Sequence, residues 1–146
     1  MPRNFDAKVL LVDDEVDFVK TLAERLELRG LKVTGSTSGQ EAIELTGRQE
    51  FDVVIIDLAM PGMDGLTTLK HIKAQHPDTE IIMLSGQGTI KTSTKAIKLG
   101  AEDFLEKPVN IDELLDKIGE ARKRHIVVLQ KRSKEEIENI LKRKSW

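Results

Sequence analysis

FDVVIIDLAMPGMDG, residues 51–65, is the stretch that decides the fold of this 146-residue chain. Its β-branched residues Val53 to Ile56 form an unbroken apolar run, which is typical of a strand buried on both faces. The run stops at Asp57, and residues that favour loops and turns follow it. A carboxylate at the end of a buried strand is costly unless other groups pair with it. We therefore expect Asp57 to be the chemical centre, with the other strands supplying its partners.

Two more buried-strand runs lie at residues 9–12 and 81–84, and two weaker strand patterns lie at residues 31–36 and 102–105. Segments with helical spacing of apolar residues follow each of the five. Strands that alternate with helices predict a parallel sheet covered on both faces. The continuous apolar runs should form the inner strands, and the alternating and short ones should form the edges.

Helix starts and faces can also be predicted. Ser38 with Glu41, and Asn110 with Glu113, are capping patterns for the second and fifth helices. The fourth helix should run from about residue 89 to 99. Within it we expect the inward-facing residues to be Ile90, Ala96 and Ile97.

The polar residues that follow the strands should converge on one edge of the sheet, because parallel strands end at the same edge and ligands bind there. These residues are Asp13, Asp14, Asp57, Ser85 and Lys107. Three carboxylates held close together repel one another and call for a cation, and oxygen-only ligands suit Mg²⁺. A lysine and a hydroxyl could bind the oxygens of a phosphoryl group. The nucleophile would be an aspartate, which can form an acyl phosphate.

Each of these residues has a simpler interpretation when taken alone. Asp13 and Asp14 could cap the first helix, and Asp57 could form a turn at the strand end. Ser85 could be a turn residue, and Lys107 could be a solvated surface lysine. Their combination and order along the chain favour a functional site.

Composition excludes several classes of protein and site. The chain has no cysteine, so disulfides, thiolate chemistry and cysteine-ligated zinc are excluded. His71, His76 and His125 show no ligand spacing and are expected at the surface. With 39% apolar and 33% charged residues, no bilayer-length apolar run and no signal pattern, we expect a cytoplasmic globular protein without a membrane partner.

The sequence resembles a receiver domain of two-component response regulators over roughly residues 7–124. The motifs that carry the resemblance are Asp13-Asp14, Asp57 followed by Met60-Pro61-Gly62-Met63-Asp64-Gly65, Ser85-Gly86 and Lys107-Pro108. The resemblance implies an α/β, flavodoxin-like (βα)5 doubly wound parallel sheet with strand order 2-1-3-4-5. Residues 98–108 look most like receivers attached to AAA+ transcription activators.

By this resemblance, Asp57 accepts a phosphoryl group from a sensor histidine kinase or a phosphotransfer protein. Asp14 and Asp57 would ligate Mg²⁺ directly, together with the backbone carbonyl of Ala59. Asp13 would act on the ion largely through water.

The resemblance also implies a switch. Lys107 would bind a phosphate oxygen, Ser85 would swing toward the phosphate, and Phe104 would turn inward with it. The face of the fourth helix, fifth strand and fifth helix would then change to control a partner, a dimer or an output domain. Such a chain is a phosphoacceptor regulator that assists only its own phosphorylation and dephosphorylation.

The tail differs from the body in charge. Residues 122–146 hold nine Lys and Arg against three Asp and Glu, a charge of +6, whereas residues 1–121 hold 14 against 22, a charge of −8. We assign residues 7–124 to the receiver domain and residues 125–146 to a basic, helical C-terminal extension.

The tail has several interpretations. Ser133 with Glu136 predicts a helix start, and an apolar stripe follows at Ile137, Ile140 and Leu141. The segment could extend the fifth helix, form a solvated linker to an output domain, or serve as a dimerisation or docking helix. We do not expect this chain to bind DNA, because it contains no recognisable DNA-reading module.

Two other functions compete with the switch. An aspartyl-phosphate hydrolase would resemble this pattern but places a second Asp, as general acid, two residues after the nucleophile. That position is Ala59, which argues against it. A scaffold that oligomerises without phosphorylation would keep the fold and ignore phosphodonors.

Overall fold

Five strands and five helices alternate in the computed structural model, which describes residues 7–60, 62–86 and 90–143. The elements are β1 (Lys8–Val12), α1 (Val16–Glu27), β2 (Lys32–Ser36), α2 (Gly39–Arg48), β3 (Val53–Asp57), α3 (Gly65–Gln75), β4 (Glu80–Ser85), α4 (Ile90–Lys98), β5 (Asp103–Glu106) and α5 (Ile111–Arg143). The fifth strand begins one residue later than the sequence predicts.

The strands form one parallel sheet in the order β2-β1-β3-β4-β5, which confirms the flavodoxin-like prediction. Every residue of β3 and β4 is buried, whereas β2 and β5 at the edges are partly exposed. The register aligns the strand ends, since Val12 pairs with Ile56 and Asp57 pairs with Leu84. Residues just beyond these strands therefore meet at one edge.

The core has two apolar layers, one on each face of the sheet. Alternate residues of β3 point to opposite faces, so Val53 and Ile55 pack in one layer while Val54 and Ile56 pack in the other. Helices α1 and α5 cover the first layer, and α2, α3 and α4 cover the second. This double covering explains why the strand sequences are continuously apolar.

The predicted caps of α2 and α5 are confirmed. The Glu41 amide donates to Ser38 Oγ at 3.1 Å, and the Glu113 amide donates to Asn110 Oδ1 at 3.0 Å. A third cap was not predicted: the Thr67 amide donates to Asp64 Oδ1 at 2.8 Å and begins α3. This bond holds the pKa of Asp64 below its usual value.

The predicted inner face of α4 is correct only for Ala96, which is fully buried. Ile90 is 88% exposed and Ile97 is 48% exposed, so the prediction is wrong for both. Successive helical residues are about 100° apart around the axis, so Ile97 cannot share the narrow face of Ala96. The predicted helix start at Thr89 lies outside the described residues.

Helix α5 runs without a break through Ser133 and Glu136 to Arg143. The predicted helix start at Ser133 is wrong, because a capping residue needs a non-helical backbone and this segment is already helical. The predicted limit between receiver and tail, after residue 124, falls inside this helix. Residues 131–143 are all exposed. No helix in the described ranges, α5 included, has the length and apolarity needed to cross a membrane.

His125 is buried, with 5% exposed, so the expectation that it lies at the surface is wrong. It lies on the face of α5 that packs against the body, and its Nδ1 is 2.9 Å from Asp52 Oδ1. The partner carboxylate comes from the loop before β3. A polar residue can be buried when such a partner is present, and sequence spacing did not reveal this one.

Candidate functional site

Three carboxylates meet at the carboxyl edge of the sheet. One oxygen each from Asp13, Asp14 and Asp57 lies within 4.8 Å of the others. Asp13 is fully buried, Asp57 is 6% exposed and Asp14 is half-buried. The neighbouring strands β1 and β3 bring them together, because both strands end at this edge.

Lys107, which directly follows the edge strand β5, also contacts these carboxylates. Its Nζ lies 2.7 Å from Asp13 Oδ2 and 3.4 Å from Asp57 Oδ1. The Lys107 amide donates to the Ser85 carbonyl at 2.8 Å, which fixes the chain just after β5. Residues 94 positions apart in the sequence therefore share one hydrogen bond.

The site carries unbalanced negative charge. Burial, followed by the charge of Asp13, raises the pKa of Asp57 from 3.8 to about 6, although Lys107 opposes the shift. Burial acts to lower the pKa of Lys107, but the hydrogen bonds and charges of Asp13 and Asp57 together outweigh it and raise that pKa. One ammonium group faces three carboxylates, so the donor set suits a divalent cation that prefers oxygen ligands, such as Mg²⁺.

Asp13 also accepts a hydrogen bond from the backbone just before α1. The Glu15 amide donates to Asp13 Oδ1 at 2.9 Å, while Asp13 Oδ2 accepts from Lys107. Both of its oxygens therefore have protein donors. The N-cap residue of α1 is Glu15, whose side chain makes no capping hydrogen bond, so the capping interpretation of Asp13 is wrong.

The two predicted switch residues lie near the site but not within the carboxylate cluster. Ser85 ends β4, is 3% exposed and pairs with Glu106 of β5. Phe104 lies on β5 opposite Met83, is half-buried and packs against the layer that contains α4. Their roles stay predictions.

One side chain at the site was missed in the sequence. Lys107 Nζ lies over the ring of Phe18, 4.2 Å from its centroid. Phe18 belongs to α1, and its helical spacing indicates only a core residue. Phe18 follows Asp14 by only four residues, and α1 begins next to the carboxylate cluster. This short separation could have indicated that Phe18 lies at the site.

Gly65, the first residue of α3, belongs to the motif that follows Asp57, but its contact with the site was not predicted. A Cβ at this position would lie 2.2 Å from the Asp57 carbonyl oxygen and 2.7 Å from Leu58 Cα. The Gly65 amide donates to the Leu58 carbonyl at 2.9 Å. The close approach holds the backbone that follows Asp57, and only glycine fits there.

We expect the uncompensated charge to appear as a pH-dependent difference in stability. Without divalent metal, Asp57→Asn should unfold with a free energy close to that of wild type near pH 4 and larger by roughly 2 kcal/mol near pH 7. The folded pKa of about 6 lies above the unfolded 3.8, so the stability from the protonated carboxyl is lost as the pH rises between them. Urea unfolding at several pH values measures the difference.

The matched control for this measurement is Asp17→Asn, an exposed carboxylate on α1. It should show no such increase with pH. Adding Mg²⁺ near pH 7 should stabilise wild type more than Asp57→Asn. A difference between Asp57→Asn and wild type that stays constant from pH 4 to 7 would contradict the charge argument.

Comparisons of the sequence and the structure with known proteins identify relatives of this chain. The family described as "Response regulator receiver domain" matches residues 9–119. The chain is 37% identical over 125 residues to the C4-dicarboxylate transport transcriptional regulatory protein DctD of Rhizobium meliloti, covering 86% of this chain and 27% of DctD. The chain thus spans about a quarter of the length of this curated relative.

Two of the solved structures that are similar to this chain are receiver domains. A response regulator receiver domain protein from Clostridium thermocellum superposes with a TM-score of 0.80 at 32% identity, covering 84% of this chain and 98% of that one. The beryllofluoride-activated NtrC4 receiver domain dimer gives a TM-score of 0.77 at 35% identity, covering 81% and 98%.

Proposed function

Because the chain belongs to the response regulator receiver domain family of two-component signalling, in which switching by phosphorylation is general, we propose that it is a phosphoacceptor switch acting through Asp57. The observation that carries the proposal is the cluster of three carboxylates and one lysine at the carboxyl edge of the sheet. Asp57 ends a fully buried strand, Lys107 lies 3.4 Å from its Oδ1, and two further carboxylates lie beside it. Phosphoryl transfer chiefly needs positioning and neutralisation of charge, and this group supplies both.

In the proposed reaction, an Asp57 carboxylate oxygen attacks the phosphorus of a phosphohistidine on a sensor kinase or a phosphotransfer protein. The new oxygen–phosphorus bond is an acyl phosphate, and the phosphorus–nitrogen bond to the imidazole breaks. The released imidazole nitrogen takes its proton from solvent. The Lys107 ammonium binds a phosphoryl oxygen and offsets its negative charge.

Asp14, Asp57 and the backbone carbonyl of Ala59 would hold Mg²⁺ directly, with Asp13 acting largely through water. The indirect role of Asp13 is supported by its two existing donors, Lys107 and the Glu15 amide. When bound, the ion would neutralise the carboxylates and the phosphoryl oxygens. The chain's own residues supply the nucleophile, the lysine and the orientation.

The proposed output is a change in the α4-β5-α5 face. A phosphoryl group at Asp57 would draw Ser85 toward it, and Phe104 would turn inward on β5. The burial of Ser85 and the half-buried position of Phe104, which packs on β5 against the apolar layer that contains α4, support this route. Phosphorylation would thus bias two packings of one face, in the cytoplasm, to control a partner, a dimer or an output domain.

The direct test is labelling of the full chain by acetyl phosphate with Mg²⁺, with the modified residue located by mass spectrometry. We expect one phosphoryl group per chain, on Asp57. A hydrolase would instead release phosphate from a phosphomonoester over many turnovers. The exposed Ala59, which offers no acid two residues after Asp57, argues against that outcome.

We expect beryllofluoride, which mimics the phosphoryl group, to convert the chain to a dimer through the α4-β5-α5 face. Ile90 and Ile97 expose apolar surface there, at 88% and 48%. The relative NtrC4 is a dimer in its beryllofluoride-activated form. Sedimentation with and without beryllofluoride should show twice the monomer mass in the activated sample.

Two matched variants separate this face from the tail. Ile90→Glu should keep the activated chain monomeric, whereas Ile140→Glu, a 48% exposed residue of the α5 extension, should dimerise like wild type. The reverse result would move the dimer contact to the tail. If the activated wild-type chain stays monomeric, neither the α4-β5-α5 face nor the tail forms the expected dimer contact.

A further inference from the structure

The ring of Phe18 contacts the Lys107 ammonium group from a third direction. The centroid of the ring lies 4.2 Å from Nζ, within the range of a cation–π contact. Phe18 is half-buried and packs against the apolar layer that contains Val19 and Leu22. Packing against the core therefore holds the Phe18 ring in place, and one face of the ring contacts the Lys107 ammonium.

The contacts of Lys107 are unequal. Nζ lies 2.7 Å from Asp13 Oδ2 but 3.4 Å from Asp57 Oδ1, so the ammonium is bound mainly to Asp13. To bind a phosphoryl group on Asp57, it must shift toward that residue. Lysine has a flexible four-carbon stem and a strongly hydrated charge, so a lysine that leaves Asp13 could also turn into solvent.

A ring face suits this shift. It attracts the cation without offering a single acceptor atom, so Nζ can change its oxygen partner and keep the contact. The ring also covers the ammonium, and the Lys107 side chain is only 18% exposed. A further carboxylate in place of the ring would instead bind the ammonium at one point and add negative charge.

We infer that Phe18 is a positioning residue for Lys107: its ring face keeps the ammonium between Asp13 and Asp57 and ready for a phosphoryl oxygen. The inference rests on the proposed function of the site. It assigns Phe18 a role in the reaction through the charge distribution of its ring, in addition to its packing in the core. The two roles separate when the shape is kept and the ring electrons are changed.

The test measures the rate of labelling of the full chain by acetyl phosphate at saturating Mg²⁺. Phe18→Leu, which is apolar but has no ring, should slow labelling about 3- to 30-fold, while Phe18→Tyr should stay close to wild type. Val16→Ala, at a 62% exposed position of the same helix, is the control and should have no effect. A Phe18→Leu chain that labels at the wild-type rate would overturn the inference and leave the proposed function standing.

Fluorinated phenylalanines at position 18 keep the shape and remove negative charge from the ring face. We expect the labelling rate to fall stepwise with the number of fluorines, and a flat series would overturn the inference. This series answers the question even where Phe18→Leu fails to fold. If wild type itself does not label on Asp57, the proposed function fails, and the inference fails with it.

A double-mutant cycle shows whether Phe18 acts through Lys107. In a Lys107→Ala background, Phe18→Leu should cause no further slowing, because the group to be positioned is gone. The Mg²⁺ concentration needed for half-maximal stabilisation should be the same in Phe18→Leu and wild type. Equal slowing in both backgrounds would overturn the inference and leave packing as the role of Phe18.

Discussion

Asp57→Asn will reduce labelling of the chain by acetyl phosphate by at least about 100-fold. The amide has nearly the shape of the carboxylate but lacks a nucleophilic oxygen. Asp13, Asp14 and Lys107 stay in place around it. Labelled phosphate retained on the protein, counted after rapid desalting, measures the loss.

Misfolding will not account for this loss. Asp57→Asn removes a buried, poorly compensated charge, so the variant should be more stable than wild type near neutral pH. Asp17→Asn, on the exposed side of α1, should label as wild type does. Undiminished labelling of Asp57→Asn would remove Asp57 as the acceptor and with it the proposed function.

Gly65→Ala will destabilise the folded chain by about 2–3 kcal/mol. Its methyl group would meet backbone atoms, the Asp57 carbonyl oxygen at 2.2 Å and Leu58 Cα at 2.7 Å. Backbone atoms cannot rotate away from the methyl group as the end of a flexible side chain would. The loop after Asp57 must shift, so labelling by acetyl phosphate should slow as well.

Gly47→Ala is the matched control, because it makes the same chemical change inside a helix. Nothing lies within 4 Å of a Cβ at Gly47, which belongs to α2. Alanine should therefore stabilise the chain by about 0.5–1 kcal/mol through its higher helix propensity. Urea unfolding of both variants decides the matter, and a Gly65→Ala chain as stable as wild type would contradict the close-approach argument.

The strands, and their division into inner and edge strands, could be predicted because burial on both faces requires a continuous run of apolar residues. Val53 to Ile56 shows this, as do residues 9–12 and 81–84. Caps could be predicted for a related reason: Ser38 and Asn110 bond to amides only three residues ahead. In both cases the deciding interaction involves residues close together in the sequence, so a short stretch of sequence is enough to predict it.

Helix faces and distant partners were harder to predict. Ile90 and Ile97 look like core residues, yet α4 packs against the body through a narrow face at Ala96. His125 looks like a surface residue, yet Asp52 meets it from a loop 73 positions away. In each case the outcome depends on what covers the residue, and helical spacing does not contain that information.

By itself, the sequence determined the parallel sheet, the inner and edge strands, and the edge at which Asp13, Asp57 and Lys107 would meet, because each rests on local periodicity or on the direction of parallel strands. Only the tertiary structure decided that Lys107 Nζ lies between two carboxylates and over the Phe18 ring, and that no side chain fits at Gly65. Those features depend on distances of a few ångströms between residues far apart in the chain. Such distances are set by the packing of whole elements.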